Sequence, residues 1–257
     1  MIMPPDHKQA FYEAINQGPL IHFKQVECEG NAPGGIIVKV HTNRTAMVLA
    51  YNLSREKALH TMSSNQNLQE REFETKVAKL CRGVIGEMAI QIFLSTQLER
   101  PISDVLRYDL ERLSFQYSPI EYDLSLNEMR IEVRTSNNPY STLKEYLNSS
   151  DRGVICRYTN TKKVSERSAD YYFAVVYDYP DQKGRTSELQ EKVFMKDLLD
   201  GSLHMYIVAG VSEQERLASE KIVSLGQYKT SYGVVPFKSC RLLQYVVEEL
   251  GQRAVNE

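Results

Sequence analysis

Two alternating segments separated by two residues constrain the fold of this chain more than any other feature. The segments are residues 123–126 (DLSL) and 129–136 (MRIEVRTS), with Asn127-Glu128 between them. Because successive side chains of a strand point to opposite faces, the pattern predicts a β-hairpin with one apolar and one polar face. The apolar face holds Leu124, Leu126, Met129, Ile131 and Val133. The polar face holds Asp123, Ser125, Arg130, Glu132 and Arg134.

The predicted register places two carboxylates, those of Asp123 and Glu132, directly opposite each other. Like charges at such positions are destabilising unless they are solvated or share a cation. Mg²⁺ is typically held by one or two carboxylates together with water and substrate phosphate. Two interpretations follow: an edge hairpin with a solvated face of mixed charge, or a divalent-cation site beside which Arg134 could contact an anionic oxygen.

A long helix is predicted before the hairpin, from about residue 70 to residue 97, because the apolar period there becomes helical. Glu87 falls near its apolar stripe, where a carboxylate is costly unless it has a partner. Gly83 and Gly86 each cost about 1 kcal/mol relative to alanine inside a helix. Their presence indicates a close approach to another element, which we expect to be the sheet. The alternative for Glu87 is a position flanking the stripe, in contact with solvent.

The N-terminal region is predicted to be rich in β-structure. A short helix is expected over residues 8–17, followed by strand-like segments over 20–28, 34–40 and 45–53. Glycine and proline residues at positions 30–35 separate the first two of these segments. We therefore expect residues 1–68 to form a β-rich addition to the core.

The second half of the chain contains two continuous apolar runs that are typical of buried central strands, at residues 171–178 and 205–211. A helix is predicted between them over 191–200, a helical turn or loop over 212–219, and a terminal helix over 241–253. The order of elements indicates a mixed central β-sheet flanked by helices, an α/β fold. We expect a single domain over 1–257, with its core at 69–215 and a C-terminal addition at 216–257.

The charge balance gives no overall sign of nucleic-acid binding, because the chain has 31 basic and 33 acidic residues. Two local stretches are basic, however: residues 152–167, which include Lys162 and Lys163, and residues 221–245. They fit a one-sided phosphate-contacting surface, and they equally fit solvated loops. Ser136, Asn137 and Asn138 follow the hairpin strand and could hydrogen-bond base edges or phosphate.

Several classes of protein are excluded by what the sequence lacks. No apolar run approaches the roughly 18 residues of a membrane span. The start lacks a basic region followed by an apolar core, so we expect no signal peptide in it. No glycine-rich phosphate loop or nucleophile elbow occurs, so no organic cofactor is expected. Four scattered cysteines indicate reduced thiols, and we expect a cytoplasmic protein without membrane association.

The combined pattern resembles the PD-(D/E)XK nuclease superfamily, which includes restriction endonucleases. The shared features are a helix with a glutamate, an aspartate, an acidic residue two before a basic one on a hairpin, and two buried strands. The resemblance covers about residues 70–210. Glu87 corresponds to the helix glutamate, Asp123 to the motif aspartate and Glu132 to the second acid. It implies a restriction endonuclease-like core with N- and C-terminal additions.

The resemblance also implies an activity, the hydrolysis of phosphodiester bonds in double-stranded DNA with Mg²⁺, for which Mn²⁺ could substitute. Asp123, Glu132 and the Val133 carbonyl would hold the metal, and Glu87 would be an outer-shell or second-metal ligand. Asn137, Lys162 and Lys163 would contact DNA. A type II restriction endonuclease acting as a homodimer is the form expected, since twofold protein symmetry suits palindromic sites.

One departure from the family pattern concerns the basic residue. Arg134 occupies the position of the family's lysine, and arginine stays protonated where lysine can tune its pKa. Arginine can still stabilise charge developing on phosphate, and Lys144 could supply an amine from elsewhere. The alternatives are a nonspecific repair, recombination or phage-defence nuclease, and an inactive DNA-binding or scaffold protein that kept the fold.

Overall fold

The structure is a computed structural model that describes residues 6–27, 36–60, 73–111, 122–158, 168–179, 187–224 and 231–256. The fold is mixed α/β, as predicted: a large mixed sheet is flanked by helices. The strands of the described residues are β1 (Ile21–Glu27), β2 (Ile36–Thr42), β3 (Val105–Arg107), β4 (Leu124–Leu126), β5 (Met129–Asn137), β6 (Gly153–Tyr158), β7 (Tyr171–Asp178), β8 (His204–Ser212), β9 (Lys221–Ser224) and β10 (Ser231–Pro236).

Seven strands form the main sheet in the order β1-β2-β8-β7-β5-β4-β3. The β5–β7 pair is parallel and the other pairs are antiparallel. Every residue of β7 is buried, which confirms the central strand predicted from its continuous apolar run. The N-terminal strands β1 and β2 belong to this sheet, because β2 pairs with β8.

The helices of the described residues confirm most predicted helical segments. They are α1 (His7–Gln17), α2 (Arg44–His60), α3 (Phe73–Gln97), α4 (Tyr108–Glu111), α5 (Leu143–Asn148), α6 (Ser187–Asp200), α7 (Glu213–Ser219) and α8 (Leu243–Asn256). The predicted helices over 8–17, 70–97, 191–200 and 241–253 correspond to α1, α3, α6 and α8. The uncertain segment 212–219 is a helix, α7, and Ser212 and Glu215 form a capping box at its start.

The prediction of a strand over residues 45–53 is wrong, because this segment lies within α2. Asn43 caps the helix: its Oδ1 accepts a hydrogen bond from the backbone N–H of Ala46 at 2.8 Å. Buried side chains then recur at helical spacing, at Ala46, Met47, Ala50, Leu53, Ser54 and Ala58. The N-terminal region is therefore a mixture of strands and helices, and α2 packs on α3.

Three strands form a second, smaller sheet in the order β6-β10-β9. None of them was predicted, because β6 and β10 fall within the two stretches whose basic residues suggested solvated loops. Val154 of β6 and Val235 of β10 are fully buried. The small sheet therefore covers apolar surface rather than forming an open basic loop.

Two apolar clusters lie on opposite faces of the main sheet. Val133 and Val175 belong to the first cluster, with residues of α1, α2, α3, α6 and α8. Ala174 and Val176 belong to the second, with residues of α5, β6 and β10. Because side chains alternate along β5, the even-numbered residues on either side of Val133 point away from α3.

Candidate active site

The hairpin has the predicted register. Leu124 pairs with Ile131, Ser125 with Arg130 and Leu126 with Met129, which leaves a two-residue loop at 127–128. All five residues of the predicted apolar face are buried. Asn127 has a φ of 53°, a left-handed conformation that asparagine tolerates better than most residues. Its Nδ2 also donates a hydrogen bond to the Ala254 carbonyl of α8.

Asp123 immediately precedes β4, beside the strand that carries Glu132. Its Oδ2 accepts a hydrogen bond from the backbone N–H of Val133 at 2.7 Å. Burial, and after it the negative charge of Glu132, raise the pKa of Asp123 to about 7 against the opposing effects of the Val133 N–H, Arg134 and Lys57. The predicted juxtaposition of the two carboxylates is therefore present, and one of them holds its proton unusually strongly.

Arg134 pairs with Glu132 on the polar face of β5. Its Nη2 lies 3.0 Å from Glu132 Oε1, and the two side chains are only 14% and 16% exposed. The positive charge of Arg134 also lowers the pKa of Asp123. The arginine is thus a fixed cation within the acidic pair, in the position that the sequence pattern gives it.

Glu87 reaches the site from α3 because Gly86 lets the helix approach the sheet. A Cβ atom at Gly86 would lie 2.5 Å from Cγ2 of Thr135, a clash that only glycine avoids. The predicted close approach is confirmed for Gly86. It is wrong for Gly83, where the nearest atom to an added Cβ is Oε1 of Glu87 itself, at 3.7 Å.

The Glu87 side chain is buried, so the alternative in which it reaches solvent is wrong. The residue is 7% exposed, and its Oε2 has no hydrogen-bond partner among the described residues. Burial raises the pKa of Glu87 to about 8; Lys57 and Arg107 lower it, while Asp109 and Asp123 raise it. A buried carboxylate oxygen without a partner is costly, which points to a bound group that satisfies it.

Lys57 of α2 is a residue of this site that the sequence reasoning missed. It forms an ion pair with Asp109 of α4. Burial lowers the pKa of Lys57, but the charges of Glu87, Asp109 and Asp123 outweigh burial and raise it. No local signal marked this lysine, because its segment follows the stretch misread as a strand and its partners are distant in sequence.

Arg107 of β3 is a second missed cation near Glu87. It is 2% exposed, and its guanidinium lies over the ring of Phe11 at 4.6 Å. Its Nε and Nη1 have no hydrogen-bond partner within the described part of the chain. Burial lowers the pKa of Arg107, and Glu87 is the first of the charges that oppose this effect.

Asp123 connects two groups of charges that lie on either side of the sheet. Glu132 and Arg134 act on it from the face of β5 that points away from α3, and Lys57 acts on it from the helical layer. No three acidic, histidine or cysteine side chains of the described residues converge as metal ligands. The Asp123–Glu132 pair nevertheless fits a hard cation that keeps water or phosphate as its other ligands.

The residues predicted to contact DNA have different positions. Asn137 ends β5 and pairs with Tyr177, whereas Lys162 and Lys163 lie outside the described residues. Asn138 has a structural role: its Nδ2 donates to Asp178 Oδ1 at 2.7 Å, and its Oδ1 accepts from the Tyr140 N–H. Ser136 shares a hydrogen bond of 3.1 Å with the Tyr146 hydroxyl.

Two arginines of the predicted basic surface are paired with acids. Arg157 donates two hydrogen bonds to Glu220, and Arg241 does so to Glu215, with a third to Glu249. These pairs reduce the local positive charge that the sequence suggests. Lys144, the predicted substitute amine, lies on the exposed side of α5.

Comparisons with known proteins give one distant relative. The chain is 21% identical over 243 residues to the uncharacterized protein MJECS01 of Methanocaldococcus jannaschii, a match that covers 86% of this chain and 88% of that protein. No protein-family model matches the chain. No solved structure matches it. In the described residues, no helix has the length and apolarity required to cross a membrane.

Proposed function

We propose that this chain is a divalent-metal-dependent DNA endonuclease of the PD-(D/E)XK type. One observation carries the proposal: Asp123 accepts a hydrogen bond from the Val133 backbone N–H, beside Glu132 and Arg134, and its charge raises the pKa of the buried Glu87. The acids come from a helix, a strand end and a strand, in the order that the family resemblance requires. Double-stranded DNA is the proposed substrate.

Asp123 and Glu132 would hold the metal ion, with Mg²⁺ as the proposed ion and Mn²⁺ as a substitute. When bound, the metal would polarise a phosphoryl oxygen and lower the pKa of a bound water. The two carboxylates would supply the negative charge that holds the ion. The positive charge of the ion would offset the repulsion from Glu132, which adds to burial in raising the pKa of Asp123. Glu87 would accept a hydrogen bond from a bound water through its unpartnered Oε2.

Arg134 would act on the phosphate rather than on the nucleophile. Its guanidinium remains charged and cannot accept a proton, so a role as general base is excluded. A donor held beside the scissile group can stabilise negative charge that develops in the transition state. This role requires Arg134 to leave or share Glu132 when substrate binds.

The test is incubation of the purified protein with long double-stranded DNA in Mg²⁺, Mn²⁺ or EDTA. Metal-dependent discrete bands would support a sequence-specific enzyme, for which a type II restriction endonuclease acting as a homodimer is proposed. A smear would favour a nonspecific repair, recombination or defence nuclease. Intact DNA under every metal condition, with correctly folded protein, would overturn the proposed activity.

A second candidate, an inactive DNA-binding or scaffold protein, is favoured by the Glu132–Arg134 ion pair. In that pair the permanent positive charge of Arg134 neutralises Glu132, one of the two acids that would hold the metal. The same DNA incubation separates the candidates. A gel shift without cleavage, unchanged by divalent metal, would favour the inactive protein.

A further inference from the structure

We propose that Lys57 is a second resident cation of the acidic site, in addition to Arg134, and weakens the affinity of the site for divalent metal. The inference rests on the proposed function, because it concerns the same carboxylates. It assigns a positioning role to a residue of α2, outside the hairpin and outside the segment that resembles the nuclease core. The helical layer formed by α1 and α2 then becomes part of the site.

The position of Lys57 supports this role. Its side chain is 18% exposed and pairs with Asp109, whose side chain is 10% exposed. A lysine on a helix surface normally extends its ammonium group into water. This one is instead held against an acid of α4, on the side of the sheet where α2 packs on α3.

The charges around Lys57 support it as well. The backbone N–H of Tyr108 donates a hydrogen bond of 3.0 Å to the carbonyl oxygen of Asp123, which brings the neighbouring Asp109 and its partner Lys57 close to Asp123. Glu87, Asp109 and Asp123 all raise the pKa of the ammonium group. One of them, Glu87, is more than nine-tenths buried and has a carboxylate oxygen without a hydrogen-bond partner in the described part of the chain. The positive charge of Lys57 therefore partly compensates the negative charge of these acids, but it leaves the Glu87 Oε2 atom without a hydrogen bond.

A divalent cation at Asp123 would be repelled by the ammonium group of Lys57, because both positive charges would be attracted to the same carboxylate. Removal of the lysine charge should tighten metal binding, whereas loss of a merely structural residue should weaken it or leave it unchanged. An affinity that increases on mutation is thus a distinctive result. Lys57 would stabilise the metal-free protein and loosen the metal, which keeps exchange of the ion rapid.

The experiment measures Mn²⁺ binding to the full chain without DNA, with free Mn²⁺ counted by electron paramagnetic resonance. We expect Lys57→Met to lower the Kd about tenfold, because charge interactions at partly buried sites are only partly screened. Lys57→Arg should leave the Kd unchanged. The matched control is Lys8→Met, because Lys8 pairs with Glu111 at 2.6 Å in an exposed position where screening is strong.

A second variant keeps the inference testable if Lys57→Met folds poorly. Asp109→Asn removes one of the acids that compensate the charge of Lys57, so the ammonium group should repel the metal more strongly and raise the Kd several-fold. Weaker or unchanged binding in Lys57→Met, or tighter binding in Asp109→Asn, would overturn the inference. DNA cleavage is measured separately: a wild type that binds Mn²⁺ without cutting DNA refutes the nuclease and leaves the role of Lys57 to be decided by the Kd values.

Discussion

Gly86 of α3 lies so close to Thr135 of β5 that a Cβ atom on the glycine would be 2.5 Å from the threonine Cγ2. This contact fixes the distance between the helix that carries Glu87 and the strand that carries Glu132. It also explains why a residue that disfavours helices occurs in the middle of a buried helix. The position therefore links fold stability to site geometry.

Gly86→Ala should destabilise the protein by up to about 2 kcal/mol. The overpacking cost of about 1–3 kcal/mol is offset by the roughly 1 kcal/mol that alanine contributes as a helix former, and the contact of 2.5 Å places the cost toward the upper end of its range. The measurement is the free energy of unfolding in urea. Gly83→Ala is the matched control, because the added Cβ atom would meet only the flexible Glu87 side chain. This substitution should leave the free energy of unfolding unchanged or raise it. Equal effects of the two variants would contradict this account.

Asp123→Asn and Glu132→Gln should each reduce cleavage by at least a hundredfold while the protein remains folded. Each change removes one charge that would hold the metal, and the asparagine oxygen can still accept the Val133 N–H. The initial rate of DNA cleavage in Mg²⁺ and the melting temperature are measured together. Glu128→Gln, in the exposed hairpin loop, is the control and should retain wild-type activity. Full activity in either site variant would remove that residue from the mechanism.

Arg134→Ala should severely impair cleavage, and Arg134→Lys should retain part of the activity. Lysine preserves the positive charge near the phosphate but loses the forked geometry of the guanidinium. Cleavage rates under single-turnover conditions, alongside DNA affinity in Ca²⁺, separate catalysis from binding. An Arg134→Ala enzyme with wild-type rate would remove Arg134 from the mechanism and shift the cationic role to Lys144.

The metal-free protein should become less stable as the pH rises from about 5 to about 8. Burial raises the pKa of Asp123 to about 7 and that of Glu87 to about 8, both well above their ordinary values. Between the unfolded and folded pKa values the folded state binds more protons, so stability falls with rising pH. Melting temperatures in EDTA across this range provide the measurement.

Glu87→Gln is the control for the pH prediction. The amide cannot ionise, so its melting temperature should depend less steeply on pH than that of the wild type. Mg²⁺ should raise the wild-type melting temperature more at pH 8 than at pH 5, because only deprotonated carboxylates bind it well. A wild-type curve that is flat in EDTA would show that these carboxyl groups do not titrate as stated.

The binary pattern of the hairpin was sufficient to predict its register and the juxtaposition of Asp123 and Glu132. The period of α3 likewise placed Glu87 near the apolar stripe, but it left open whether the side chain faces the core or solvent. Both predictions depend on residues close together in sequence, where alternation fixes which side chains share a face. The conflict between a glutamate and an apolar stripe was the most informative local signal.

The parts that could not be predicted depend on contacts between distant segments. Residues 45–53 are apolar and compatible with either a strand or a helix, and their packing on α3 decides in favour of the helix. Lys57 joins the site only because of that packing. Similarly, the acids that neutralise Arg157 and Arg241 come from other elements, which composition alone cannot place beside them.

The pairing of β2 with β8 and the packing of α2 on α3 remove any physical boundary near residue 69. A chain shortened at that point would keep the Asp123–Glu132 hairpin but expose the apolar side of α3 and lose Lys57. Transient opening of α1 and α2 would have the same local effect, since it would admit water to Glu87 and Asp109. The cooperative unit that unfolds is therefore also the unit that holds the charges of the site together, and amide exchange in α2 should report directly on their assembly.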